Sequence, residues 1–272
     1  MATSKQRERS LGIENLEDRR LLAASIGFAN GTIFINGTNA NDVAYVTESN
    51  NTVTVQGNVV GNSTFNASSV RQIYFYGYGG DDYFMNKTAI HSRSYGDAGN
   101  DTIIGGSGYD WMDGGAGNDA MWGDYSSSSG RGDVMYGGSG NDYLNAGGGD
   151  DLVFGGTGDD RMYGFGGKDV MYGEAGNDTL MGGDDADYLD GGAEDDHLDG
   201  AYYGVDDNAR DTLVGGAGRD HFVDYQRFDG FSGFGIKYAS NDELRDYSWS
   251  ADTREVHRQE LVFSSDPLIL NL

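Results

Sequence analysis

The chain has no cysteine, so no disulfide framework holds it and no thiol chemistry is open to it. Basic residues are scarce: 18 Lys and Arg stand against 44 Asp and Glu, for a net charge of −26. That balance argues against nucleic acid as a partner. No uninterrupted apolar run is long enough to span a bilayer. No H-E-x-x-H pair and no G-x-S-x-G elbow is present. The four histidines, His91, His197, His221 and His257, are isolated from one another in sequence and read as surface residues. The outcome expected from these absences is a chain without catalytic machinery.

What is present is glycine, 46 residues of it, with 18 Tyr and 12 Phe among 272 positions. High acidity with much glycine describes many disordered chains. The aromatic content argues against disorder here, and so does a strict spacing. The segment GGTGDDRMYGFGGKDVMYGEAGNDTLM, from Gly155 to Met181, divides into three lines of nine residues. Each has Asp at its sixth place and an apolar residue at its eighth. In the template G-G-x-G-x-D-x-U-x, with U large and apolar, Asp101, Asp110 and Asp119 hold the sixth place. Asp133, Asp142, Asp151, Asp160, Asp169, Asp178, Asp187 and Asp196 continue it, and Asp211 and Asp220 end it. The eighth place is apolar throughout: Ile103, Met112, Met121, Met135, Leu144, Val153, Met162, Met171, Leu180, Leu189, Leu198, Leu213 and Phe222. GYGGDDYFM, with Asp82 and Phe84, fits the same template, and GTNANDVAY from Gly37 to Tyr45 fits it faintly.

This pattern resembles the calcium-binding nonapeptide of RTX proteins, the hemolysin-type repeat, over most of Gly96 to Val223. The resemblance implies an all-β chain: a right-handed parallel β-roll with a short β-rich N-terminal segment and a C-terminal cap. It implies six-residue turns, three-residue strands and coils of eighteen residues. It also implies several Ca²⁺ ions per chain, with Asp82 and the thirteen sixth-place aspartates from Asp101 to Asp220 as metal residues. Calcium takes six to eight oxygen ligands, and turn carbonyls would complete the shell. Glycine at places one, two and four permits positive φ and close approach of neighbouring turns. From Gly77 to Val223 there are 29 acidic and 7 basic residues. Without metal that segment repels itself, so folding is expected to require calcium, which is millimolar outside cells.

Alternating turns fall on two edges. Edge one carries Asp101, Asp119, Asp142, Asp160, Asp178, Asp196 and Asp220; edge two carries Asp110, Asp133, Asp151, Asp169, Asp187 and Asp211. The period breaks only before Asp133 and Asp211, at DYSSSSGR and AYYGVDDNA. Arg131 and Ala209 there occupy the fourth place, where glycine is expected, which predicts weak or absent sites at both turns. Asp185 and Glu194 also replace fourth-place glycine, Glu194 the less readily. Outward places after edge-two turns gather Val134, Tyr136, Leu152, Phe154, Val170 and Tyr172 into an apolar patch. Such a patch marks a contact with a terminal segment of the chain, a protein or a glycan.

The domain reading has four parts. Residues 1–24 are a targeting-like motif, 25–95 a β-rich segment capping the roll, 96–223 the roll, and 224–272 a cap in which LVFSSDPLILNL is a possible secretion signal. IENLEDRRLLAAS resembles the LEPR-XLL motif of secreted and surface proteins of planctomycete bacteria, through Leu16, Glu17, Arg19, Leu21, Leu22 and Ala23. No ordinary signal peptide is evident, because LLAASIGFA is short and follows acidic residues. The function expected is a secreted or surface calcium-binding protein with a structural or adhesive role. The alternative is a glycan-binding module resembling the β-roll modules of alginate epimerases, with Tyr136, Phe154 and Tyr172 as its aromatic ladder.

Overall fold

The structure is a computed structural model. It describes residues 24–59, 61–124, 130–201 and 209–228, together with the strands Tyr238–Ser240, Glu243–Arg245 and Thr253–Arg258. Most of the LEPR-XLL-like stretch, the terminal LVFSSDPLILNL and the tips of both insertions lie outside the described residues.

Two long sheets face each other across a thin core, so the chain is all-β and forms a parallel β-roll. One sheet runs through Thr32–Asn36, Gln72–Tyr76, His91–Ala98, Trp111–Ala116, Val134–Ser139, Leu152–Thr157, Val170–Ala175, Tyr188–Ala193 and Thr212–Ala217, all parallel. The other runs through Val43–Ser49, Tyr83–Asn86, Thr102–Ile104, Ala120–Trp122, Tyr143–Gly148, Arg161–Gly166, Thr179–Asp184, His197–Asp199 and His221–Phe228. The chain alternates between them, so each strand pairs with the one a full coil away. Val134 opposes Leu152 and Leu152 opposes Val170, a step of 18 residues.

The alternation of strand side chains decides what is inside. Every eighth-place residue from Ile103 to Phe222 is fully buried, with none of its surface exposed. Each coil supplies two such residues, one from each sheet, and successive coils stack them into one column. Ile33, Ile35, Ile73 and Phe75 extend the column N-terminally, and Phe75 stacks on Phe84 with ring centroids 4.8 Å apart. Parallel ladders therefore continue through the region that begins at Thr32. There the coil from Thr32 to Gln72 spans 40 residues, because two further strands, Thr52–Gly57 and Ser63–Asn66, follow Val43–Ser49 as an antiparallel meander. Glu243–Arg245 and Thr253–Arg258 add parallel strands beyond Thr212–Ala217 and His221–Phe228 at the other end.

The turns show why glycine recurs. Gly115 and Gly117 hold the second and fourth places of one turn, with φ of 101° and 138°. A Cβ at Gly117 would collide with the carbonyl of Gly99 in the previous coil. Glycine thus serves both the left-handed backbone and the close stacking of turns. Glu194 and Asp185 nevertheless accept φ of 78° and 75° at fourth places. The Glu194 carboxylate accepts a hydrogen bond from the Gly176 N–H of the preceding coil at 3.1 Å, which helps hold that strained conformation.

Candidate metal centre

The short strand after each turn fixes where the sixth-place aspartate points. Its neighbour at the eighth place is inside, so the aspartate, two residues earlier on the same face, is also turned inward. All fourteen sixth-place aspartates, Asp82 included, are buried. On edge one the backbone N–H of each donates to Oδ1 of the next: Asp42 to Asp82, Asp82 to Asp101, Asp101 to Asp119, Asp119 to Asp142, Asp142 to Asp160, Asp160 to Asp178, Asp178 to Asp196, and Asp196 to Asp220. On edge two the ladder begins with Ser92, which donates to Asp110, and runs through Asp133, Asp151, Asp169 and Asp187 to Asp211. These bonds measure between 2.5 and 3.0 Å. The two edges assigned from the period are the two ladders observed. The edge-two ladder passes without a gap through Asp133 and on to Asp211, the turns with the long insertions.

One oxygen of each carboxylate is thereby occupied, and in twelve of the fourteen the other has no donor. Oδ2 of Asp82, Asp101, Asp110, Asp119, Asp133, Asp142, Asp151, Asp160, Asp169, Asp178, Asp187 and Asp196 is buried without a hydrogen-bond partner. Leaving a buried charged oxygen unpartnered is strongly unfavourable. Its surroundings contain acceptors. A Cβ at Gly155 would meet both Asp160 Oδ2 and the carbonyl oxygen of Gly173 in the next coil. The same pairing of a carboxylate oxygen and a carbonyl oxygen recurs at Gly96, Gly114, Gly137, Gly164, Gly173 and Gly182. The first-place glycine therefore leaves a cradle lined by oxygen, and it does so without positive φ.

Burial dominates the electrostatics. It lifts the carboxyls of Asp101, Asp142 and Asp178 to about 6, and those of Asp82, Asp110, Asp119, Asp160 and Asp169 to about 7. Asp151 and Asp196 rise to about 8, and Asp133 to about 10, where the charge of Asp110 adds to burial. The backbone N–H on each Oδ1 opposes the shift without cancelling it. A divalent cation among these oxygens would reverse the shift, since it becomes the largest local charge.

An all-oxygen donor set of carboxylates and carbonyls suits a hard cation such as Ca²⁺ and not a soft one. Among the described residues no three His, Asp or Glu side chains converge as a metal cluster. Each centre must therefore draw much of its shell from turn carbonyls.

A second ladder escaped the reading of the sequence. On edge one the residue before each aspartate also accepts the backbone N–H of its counterpart. Asn41, Asp81, Asn100, Asn118, Asn141, Asp159, Asn177 and Asp195 form this line, which ends on the N–H of Arg219. The signal was available, because the fifth place of edge-one units is Asn or Asp until Arg219. On edge two it is Tyr109, Gly132, Asp150, Lys168, Ala186 and Arg210, and only Asp150 accepts in this way, from Lys168. His197 and His221 are neighbours on the outer face of one sheet, with Nδ1 atoms 2.8 Å apart.

No helix among the described residues is long and apolar enough to cross a membrane. No curated protein matches the chain. The family model for the RTX calcium-binding nonapeptide repeat matches four times, at residues 95–124, 128–162, 163–198 and 206–223. The aspartates of both ladders from Asp101 to Asp220 lie within these matched spans, so this part of the chain carries RTX calcium-binding nonapeptide repeats, and the ladders run on beyond them to Asp82 and Ser92.

Proposed function

We propose that the chain is a non-enzymatic, calcium-dependent structural or adhesive module that works outside the cytosol. Its ion ligands are Asp82, Asp101, Asp110, Asp119, Asp133, Asp142, Asp151, Asp160, Asp169, Asp178, Asp187, Asp196, Asp211 and Asp220. One observation carries this reading: two stacks of buried carboxylates, twelve of which have a second oxygen without a hydrogen-bond donor, set beside carbonyl oxygens of the turns. Calcium supplies the missing positive charge when bound. The chain's own residues place one carboxylate per turn, hold Oδ1 by a backbone N–H, and keep water out by close stacking of glycine turns. Binding free energy then becomes folding free energy, so the roll forms where calcium is plentiful. Calorimetric titration of metal-stripped protein tests this. Several ions bound per chain with concurrent folding support it, and the absence of binding at millimolar calcium contradicts it.

A contact role for the outer face draws support from one further feature. Rings run unbroken from Phe34 through Tyr74, Tyr76, Tyr95, Trp111, Tyr136, Phe154 and Tyr172 to Tyr188, with centroids 4.9 to 6.0 Å apart. Val134, Leu152 and Val170 flank them, and all six patch residues are half-buried. Tyr136, Phe154 and Tyr172 lie nearly parallel, at 5° and 10°. Their faces are turned to each other, which favours cohesion between coils over stacking on a glycan. Replacing all three by Ser separates these roles. Unchanged binding to a glycan panel with reduced stability removes the glycan reading, and lost glycan binding with intact stability restores it.

A further inference from the structure

Asp124 opens the first insertion and is not one of the sixth-place aspartates. Gly123 holds the first place of its turn, Asp124 the second, and Gly130 to Asp133 close it. At other second places the backbone is left-handed, with glycine at Gly115 and Gly147 and larger residues at Phe165 and Glu174. Asp97 also fills a second place, with φ of 68° and an exposed side chain. Asp124 behaves differently. It is 4% exposed, and its carboxylate is turned into the edge-two turn. Oδ2 accepts the Gly148 N–H at 3.3 Å, while Oδ1 is buried and has no hydrogen-bond partner.

Its neighbours are oxygens. A Cβ at Gly130 would meet both Asp124 Oδ2 and the Gly148 carbonyl oxygen. A Cβ at Gly123 would meet Asp133 Oδ2, itself without a partner, and the Ala146 carbonyl oxygen. The charge of Asp124 is felt at Asp110, Asp133 and Asp151. Arg131, the closest base in sequence, is exposed. The insertion thus brings a second buried carboxylate to a turn that elsewhere has one.

We propose that Asp124 is an additional calcium ligand, completing with Asp133 and the Ala146 and Gly148 carbonyls the most highly charged site of the roll, the first to fill. This rests on the calcium reading of the repeats. It reverses the expectation that replacing glycine by Arg131 weakens this turn. Ligand charge count is a main determinant of calcium affinity, and this site has one carboxylate more than a regular turn. The insertion is then a source of a ligand and not only a tolerated loop.

The test is calcium titration of the full chain, wild type against Asp124→Asn, with Asp113→Asn on the outer sheet face as a charge control. The expected result is one ion fewer in Asp124→Asn, and a first-ion affinity lower by roughly tenfold or more. The control keeps both values. Equal stoichiometry and first-ion affinity in Asp124→Asn overturn the proposal. Tb³⁺ in place of Ca²⁺ gives a readout that does not depend on that variant folding, because Trp122 lies two residues before Asp124. The first equivalent of Tb³⁺ should emit on tryptophan excitation and lose most of that emission in Trp122→Phe. Emission from the first equivalent that is unchanged by Trp122→Phe overturns it too. Wild-type protein that binds no ion at all defeats the calcium reading itself, a different result from either.

Discussion

The backbone N–H of Asp119 donates to Asp142 Oδ1 at 2.7 Å across 23 residues of sequence, and that of Asp142 donates to Asp160 Oδ1 at 2.8 Å across 18. The five additional residues leave the bond unchanged, because they leave the roll at an edge-two turn and return to it in frame. Trp111 likewise opposes Val134, and Met112 opposes Met135. Register in this fold is held by aspartate ladders and buried columns, and loop length is free to vary.

Asp151→Asn should have opposite effects in the two metal states. Asn retains an oxygen that can accept the Asp133 N–H, now 2.6 Å from Asp151 Oδ1, but has no charge. With saturating calcium the variant should be less stable and bind fewer ions. In EDTA it should be no less stable than wild type, because a buried, partly unsatisfied carboxylate has been neutralised. Denaturation of both proteins with and without calcium reads the crossover.

The pH dependence should also reverse with metal. Burial raises these carboxyls above their unfolded value of about 4, so the metal-free fold binds more protons than the unfolded chain. That contribution is fully present below about pH 4 and is lost as pH rises through about 6 to 8. Metal-free protein should therefore gain β structure on acidification. In calcium the order inverts, since ions and protons compete for the same oxygens. Circular dichroism between pH 4 and 8, with calcium and with EDTA, is the check.

Met162→Ala should destabilise the calcium-loaded roll by about 2–4 kcal/mol, the range for emptying a fully buried site. Thr179→Ala, on the outward side of the next strand in the same sheet, should change it by less than about 0.5 kcal/mol. Chemical denaturation in excess calcium separates the two.

Gly158→Ala should weaken stacking locally. Its φ is 120°, and a Cβ there would collide with the Gly140 carbonyl. A loss of more than about 1 kcal/mol is expected, read by the same denaturation.

Much of this was legible in the chain. The period of nine, Asp at the sixth place and an apolar eighth place pointed to the coil, the buried column and the two edges, because each follows from strand alternation. The residues around Asp82 also fit, and they take the same ladder geometry. Other features depend on contacts between coils, which a period does not display. The edge-one line from Asn41 to Asp195 needed the turns to be superimposed in space. The inward turn of Asp124 needed the path of the insertion. The ring planes of Tyr136 and Phe154 needed side-chain orientation; the alternating pattern placed both rings outward but not face to face. Glu194 accepts its left-handed backbone with help from a hydrogen bond to Gly176, a partner 18 residues away.

The most direct measurement is a calcium titration of EDTA-stripped protein at neutral pH, followed by far-UV circular dichroism and calorimetry. The account predicts a transition from largely unfolded chain to β structure, with several ions bound per chain as it occurs. A β spectrum already complete in EDTA and unchanged by calcium would contradict it, because the buried carboxylates would then have been accommodated without a cation.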